Sequence, residues 1–177
     1  MRKLKNEELN RISAQEYRTA DKMPVIIVLD NIRSLNNIGS VFRTADAFRV
    51  EKICLCGITG VPPHREIHKT ALGATDSVSW EYYLDTRAAI VKLKSIGYQV
   101  IAIEQMEESI SLFDFKPDKE EIKTALVFGN EINGISDDIL DQIDICLEIP
   151  QFGTKHSFNI AVSAGIVLWH LFVYYHQ

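Results

Sequence analysis

The stretch PVIIVLDNIRSLNNIGSVFRTADAF, residues 24–48, decides the fold class. Its first seven residues are a continuous apolar run of strand length, the pattern of a strand covered on both faces in a parallel sheet. Ile38, Val41, Phe42, Ala45 and Phe48 then recur at helical spacing, with Asn36 or Asn37 placed to cap the helix. Working outward, the alternation repeats. Strand KICLC is followed by a turn-rich stretch over 57–63, a short strand near 78–83, a helix over 86–95 and strand YQVIAIE. A looser segment, strand TALVFG, a short helix capped by Ser136, strand ICLEIP and a final helix over about 157–175 complete the series. Alternating strands and helices predict an α/β domain, a mostly parallel sheet with helices on both faces. Before it, residues 1–23 read as a helical arm, with Leu9, Ile12 and Tyr17 as a thin apolar stripe over 7–19.

The last helix is apolar nearly all round. Phe158, Val162, Gly165, Trp169 and Phe172 form one stripe, while Ile160, Ala161, Ala164, Val167, Leu168 and Leu171 cover the opposite side, so it requires burial on two sides. Asn159, Ser163 and His170 interrupt the run and argue against a membrane span. The reading that remains sets one face on the sheet and the other on a second copy of the chain.

At 177 residues and 46% hydrophobic, the chain has the length of one domain with a core that needs neither disulfides nor metal. The charged start MRKLKNEEL lacks the pattern of a secretory signal, so a cytoplasmic protein is expected. Cys54, Cys56 and Cys146 contain no CxxC pair, and His64 and His68, four residues apart, lack a third ligand, so no metal is expected. Lys and Arg total 19 against 24 for Asp and Glu, a net charge of −5, which excludes nucleic-acid binding through the overall field. A polyanion must meet a local patch: the arm's Arg2, Lys3, Lys5, Arg11 and Arg18, the run over 43–52, or the loop of His64, Arg65, His68 and Lys69.

Three polar islands sit where apolar strands give way to loops or helices, the junctions at which open α/β sheets hold ligands. Asn37, Gly39 and Arg43 spell N-x-G-x-x-x-R; a ligand could approach the backbone at Gly39 beside a guanidinium suited to phosphate, or Asn37 caps and Arg43 pairs with Asp46. GNEINGIS lacks both the dinucleotide fingerprint and the Walker lysine. Its Glu131 directly follows a buried strand and needs a partner there. In IPQFGTKHSFNIAV, Ser157 reads as a helix cap, while Asn159 at an apolar helix start also needs a partner.

In this order the islands resemble the SpoU (TrmH-type) branch of the SPOUT methyltransferases, from about Pro24 to the last helix. The matching motifs are Asn37 to Arg43, Gly129-Asn130-Glu131, and Ile149-Pro150 through Gly153 to Ser157 and Asn159. The resemblance implies a C-terminal trefoil knot, a homodimer through the last helix with the site at its interface, and methyl transfer from S-adenosylmethionine to a ribose 2′-hydroxyl of tRNA or rRNA. It assigns catalysis to Asn37, Arg43, Glu131, Ser157 and Asn159, and cofactor binding to Ile103, Gly129, Asn130, Ile149, Pro150 and Phe158.

A guanidinium with a pKa above about 12 is a poor literal base, so Arg43 is expected to clamp phosphate and the developing alkoxide. Asn37 and Asn159 would orient the ribose, Glu131 would fix Arg43 or Asn37, and Ser157 would organise the loop. The short arm, in place of a separate RNA-binding domain, leans towards tRNA. The alternatives are a non-catalytic RNA-binding module on the same fold and a base-methylating SPOUT enzyme.

Overall fold

A computed structural model describes residues 1–117 and 123–176. The arm is a 3-10 turn, Asn6–Leu9, and a short helix α1, Ala14–Thr19, rather than one continuous helix. Ser13 opens α1 with a reciprocal cap to Glu16. Of the three apolar arm positions only Tyr17 is buried; Leu9 and Ile12 remain exposed. The arm is thus docked through one aromatic ring, beneath the Lys22 ammonium 3.7 Å from its centroid, and through Arg18 Nη2, which donates to Asp76 O at 3.0 Å.

From there β1 (Met23–Asp30), α2 (Leu35–Ala47), β2 (Val50–Cys56), α3 (Arg65–Ala71), α4 (Ala74–Ser77), β3 (Trp80–Tyr83), α5 (Thr86–Ser95) and β4 (Tyr98–Ile103) follow in order. After them come β5 (Ile110–Ser111), β6 (Lys123–Phe128), a 3-10 turn Asp137–Gln142, β7 (Ile145–Glu148) and α6 (Ile160–Tyr175). The seven strands form one sheet in the order β3-β2-β1-β6-β4-β7-β5. Every pairing in it is parallel. The chain builds outward through β1, β2 and β3, then returns so that β6 lies between β1 and β4, a reversal of the kind that opens a crevice at the carboxyl ends of the strands.

Alternation along β1 divides the core. Val25, Ile27 and Leu29 face a layer made by α2, α3 and α6, while Ile26 and Val28 face the layer of α5 and the 137–142 turn. Cys54 and Cys56 are buried in the second layer, and desolvation, foremost, pushes the Cys54 thiol up to about 12.

Three local readings are corrected. Ser34, not Asn36 or Asn37, caps α2, its hydroxyl accepting from Asn37 N. The segment of His64, Arg65, His68 and Lys69, read as a loop, is the cap and body of α3, and α4 follows it. The final helix starts at Ile160, three residues later than expected, and its cap is Asn159, whose side chain accepts from Ala161 N. Ser157 lies outside that helix because Asn159 takes the extended backbone a cap requires. The looser segment after β4 contains the edge strand β5 and falls partly on 118–122, outside the described residues.

Gly165 of α6 faces Thr44 of α2, so the close approach it permits is within the chain. The outer side of α6 carries Val162 and Trp169, 50% and 58% exposed. Among the described residues no helix is long and apolar enough to cross a membrane.

Candidate active site

The carboxyl ends of β1, β4 and β6 converge on three turns. Buried Asp30 ends β1: one carboxyl oxygen accepts from Thr86 Oγ1 (2.5 Å) and Asn31 Nδ2 (2.8 Å), the other from Ser136 N (2.8 Å). This side chain ties β1 to α5 and to the chain after β6. Asn130, just past β6, donates from Nδ2 to Asn31 O (2.6 Å), and its Oδ1 accepts from Ile132 N and Asn133 N. The 129–134 turn is closed by backbone bonds between Asn130 and Gly134. Gly129 must be glycine, since a Cβ would run into the Gly134 carbonyl and Ile135 N, and Gly134 has φ +69°.

That turn delivers Glu131 to the start of α2. Its carboxylate accepts from Arg33 N and Ser34 N, both 3.0 Å, and from Asn37 Nδ2, 3.2 Å. Desolvation acts to raise the Glu131 carboxyl, yet hydrogen bonds from Arg33, its own backbone, Ser34 and Asn37 outweigh it and hold the group below the usual carboxylate range. Asn37 Oδ1 in turn accepts from Asn159 Nδ2 at 3.0 Å, and Asn159 Oδ1 caps α6. Glu131, Asn37 and Asn159, separated by 94 and 122 residues, form one relay in which each amide's orientation is dictated by its neighbours. Of the two partners expected for Glu131, the structure selects Asn37.

A cleft of 480 Å³ opens beside this relay. Among the expected cofactor residues, Ile103, Gly129, Asn130, Ile149 and Phe158 line it; Pro150 does not. Glu131, Ser157 and Asn159 line it as well. Among the described residues nothing hydrogen-bonds to Ser157, so no loop-organising contact of its own is seen; Gln105 Nε2 donates to His156 O at 2.7 Å and ties that loop to β4. Arg43 lies on the exposed side of α2, away from the lining, and has no hydrogen-bond or ion-pair partner within the described residues. The alternative pairing with Asp46 is not formed; Asp46 accepts from Ser77 Oγ.

Gly39 is also reassigned. It is buried, and a Cβ there would strike Thr70 Oγ1 and the Ile67 carbonyl, so the space belongs to α3 and not to a ligand. Sequence reasoning missed Asp30, Glu104 and Gln105. Asp30, like Glu131, is a carboxylate at the end of a buried strand, and that position was the available signal. Among the described residues no cluster of His, Cys, Asp and Glu is arranged to hold a metal.

Comparison with known proteins matches residues 24–169 to the model of the SpoU rRNA Methylase family. The 23S rRNA (guanosine-2'-O-)-methyltransferase RlmB of Neisseria meningitidis serogroup B is 31% identical over 145 residues, 82% of this chain and 56% of that protein. A tRNA (guanosine(18)-2'-O)-methyltransferase of Borreliella burgdorferi is 28% identical over 144 residues, 81% of this chain and 64% of its own. An rRNA methyltransferase from Sinorhizobium meliloti, solved with AdoMet bound, superposes with a TM-score of 0.77 at 26% identity, covering 88% of this chain and 59% of that one. The chain thus spans 56% and 64% of the length of the two curated relatives. The matched span begins at the first core strand and takes in all three polar islands, and on that ground the chain belongs to the SpoU rRNA Methylase family.

Proposed function

We propose that this chain is an RNA 2′-O-ribose methyltransferase that takes S-adenosylmethionine in the cleft beside Gly129 and acts on tRNA or rRNA, with tRNA ahead. The observation that carries the reading is the Glu131–Asn37–Asn159 relay, which joins the three family motifs at the rim of one cleft.

The residues present fit the cofactor. Ile103, Phe128, Ile149 and Ile160 give apolar wall for a purine ring, and the cleft falls within the ~300–1,000 Å³ typical of small-ligand sites. When bound, S-adenosylmethionine supplies an electrophilic methyl group on a sulfonium. The chain's part is to position a ribose hydroxyl in line with that methyl, about 3 Å away, and to exclude misaligned approaches. Asn37 and Asn159, locked by Glu131 and by the α6 cap, present fixed amide dipoles to the ribose. Arg43 clamps the neighbouring phosphate and stabilises the alkoxide, as a permanently charged fork suits a developing anion better than it accepts a proton.

Arg43 stands apart from its own chain's cleft, which supports the dimer in this proposal: two copies pair through α6, and the guanidinium of one completes the cleft of the other. The exposed Val162 and Trp169 supply that contact face. The reading includes the C-terminal trefoil knot and a cytoplasmic setting, where RNA and cofactor meet.

Methyl transfer from tritiated S-adenosylmethionine into separate tRNA and rRNA fractions, followed by nucleoside mapping, tests the proposal. Label in 2′-O-methylnucleosides is the expected result. Label on bases would replace it with the base-methylating alternative, and cofactor binding without transfer would point to a non-catalytic module.

A further inference from the structure

The cleft holds a second carboxylate that the relay does not use. Glu104 follows Ile103 at the end of β4, with its backbone N donating to Leu147 O at 3.0 Å, so its Cα is fixed between β4 and β7. Its Oε1 accepts from Gln105 N at 2.9 Å. Among the described residues nothing donates to Oε2, which occupies the space left by the missing side chain of Gly134, where a Cβ would overlap it. Glu131 is different, since three donors already engage its carboxylate. A half-buried carboxylate oxygen facing a cleft without a donor is costly unless a ligand or water supplies one.

We propose that Glu104 holds the ribose of the bound nucleoside cofactor, its carboxylate accepting hydrogen bonds from the cis-diol; this rests on the reading above that the cleft takes S-adenosylmethionine. Two facts select the diol. Glu104 can only accept, which excludes the cofactor's own carboxylate and the ring nitrogens of the purine and leaves the exocyclic amine, the ammonium and the diol as donors. It also lies between the apolar wall at Ile103 and the polar 129–134 turn, and in a nucleoside the part between the base and the sulfonium arm is the ribose. Pairing Glu104 with the ammonium of the amino-acid arm would instead turn the base towards Asn130 and Asn159.

Titration calorimetry with three compounds tests the assignment. S-adenosylhomocysteine carries base, ribose and amino-acid arm, 5′-methylthioadenosine lacks the arm, and its 2′-deoxy analogue lacks one hydroxyl as well. Glu104→Gln, nearly isosteric, is expected to weaken the first two alike, by about 10- to 100-fold, the range of a hydrogen bond to a charged group. The wild-type protein should lose affinity for the 2′-deoxy compound, and Glu104→Gln should scarcely distinguish it from 5′-methylthioadenosine. The ligand-free melting temperature should stay unchanged, which separates lost recognition from lost folding. A loss confined to S-adenosylhomocysteine would overturn the assignment in favour of the ammonium, and unchanged affinity for both would overturn it outright. A wild-type chain that binds none of the three would instead overturn the cofactor reading itself.

Discussion

Replacing Glu131 by Gln removes one charge and leaves the shape, so it isolates what the carboxylate does. The Gln oxygen can keep the position that accepts from Ser34 N and Asn37 Nδ2, but its NH2 group then faces Arg33 N, donor against donor. A stranded buried donor costs about 1–3 kcal/mol, and Arg33 is exposed enough for water to relieve part of that, leaving about 1 kcal/mol. The two remaining bonds lose their charge assistance, worth about another 1 kcal/mol at most after solvent screening. A total of about 1–2 kcal/mol corresponds to a fall in melting temperature of roughly 2–8 °C for a chain of this size. The pH dependence carries a sign. Glu131 has a depressed folded-state pKa, so its contribution is present above the unfolded carboxyl value of about 4.3 and is lost as pH falls through the folded one. Thermal melts of wild type and Glu131→Gln should therefore differ at pH 7 and converge as pH falls below the usual carboxylate range. Coincident melts at pH 7, or a gap that stays constant into acid, would refute the reasoning.

Other substitutions separate roles that sequence alone merges. Asn159→Ala removes the α6 cap and should cost about 1 kcal/mol. Asn159→Asp keeps the cap acceptor but sets an acceptor against Asn37 Oδ1, so it should stay folded with a loss of about 1 kcal/mol and lose turnover, as a side-by-side melt and methyl-transfer assay would show. Gly39→Ala should destabilise by about 1–3 kcal/mol in a denaturant melt, because its methyl meets α3, while cofactor affinity of the folded fraction stays the same. Trp169→Glu places a charge on the exposed face of α6 and should shift the chain to monomer in sedimentation experiments, while loss of its ring contacts with Phe48 and Phe172 lowers the stability of the isolated fold by about 1–3 kcal/mol.

What the sequence disclosed follows from how local its causes are. The run 24–30 and the spacing of Ile38, Val41, Phe42 and Ala45 bury as expected, because period and continuity are set by the covering layers. The α5 boundaries, Thr86–Ser95, were legible because Asp85 is a strong cap whose carboxylate accepts from Ala88 N. The split arm and the late start of α6 were not, since a cap depends on which of several polar residues finds its partner across the fold. Asn159 is held by Asn37, far away in the chain, and that contact decides where the helix begins. Gly39 shows the same limit in a motif: its spacing to Arg43 was visible, but the helix that fills its notch, α3, had been read as a loop.

The central claim is that Arg43 of one copy completes the cleft of another. A heterodimer purified through two tags, with Arg43→Ala in one subunit and Asn159→Asp in its partner, tests it most directly, since each homodimer should be inactive while folded. If the guanidinium acts across the interface, one of the two sites is intact and the heterodimer recovers about half of wild-type methyl transfer. Activity no higher than that of the two parent homodimers would contradict the account.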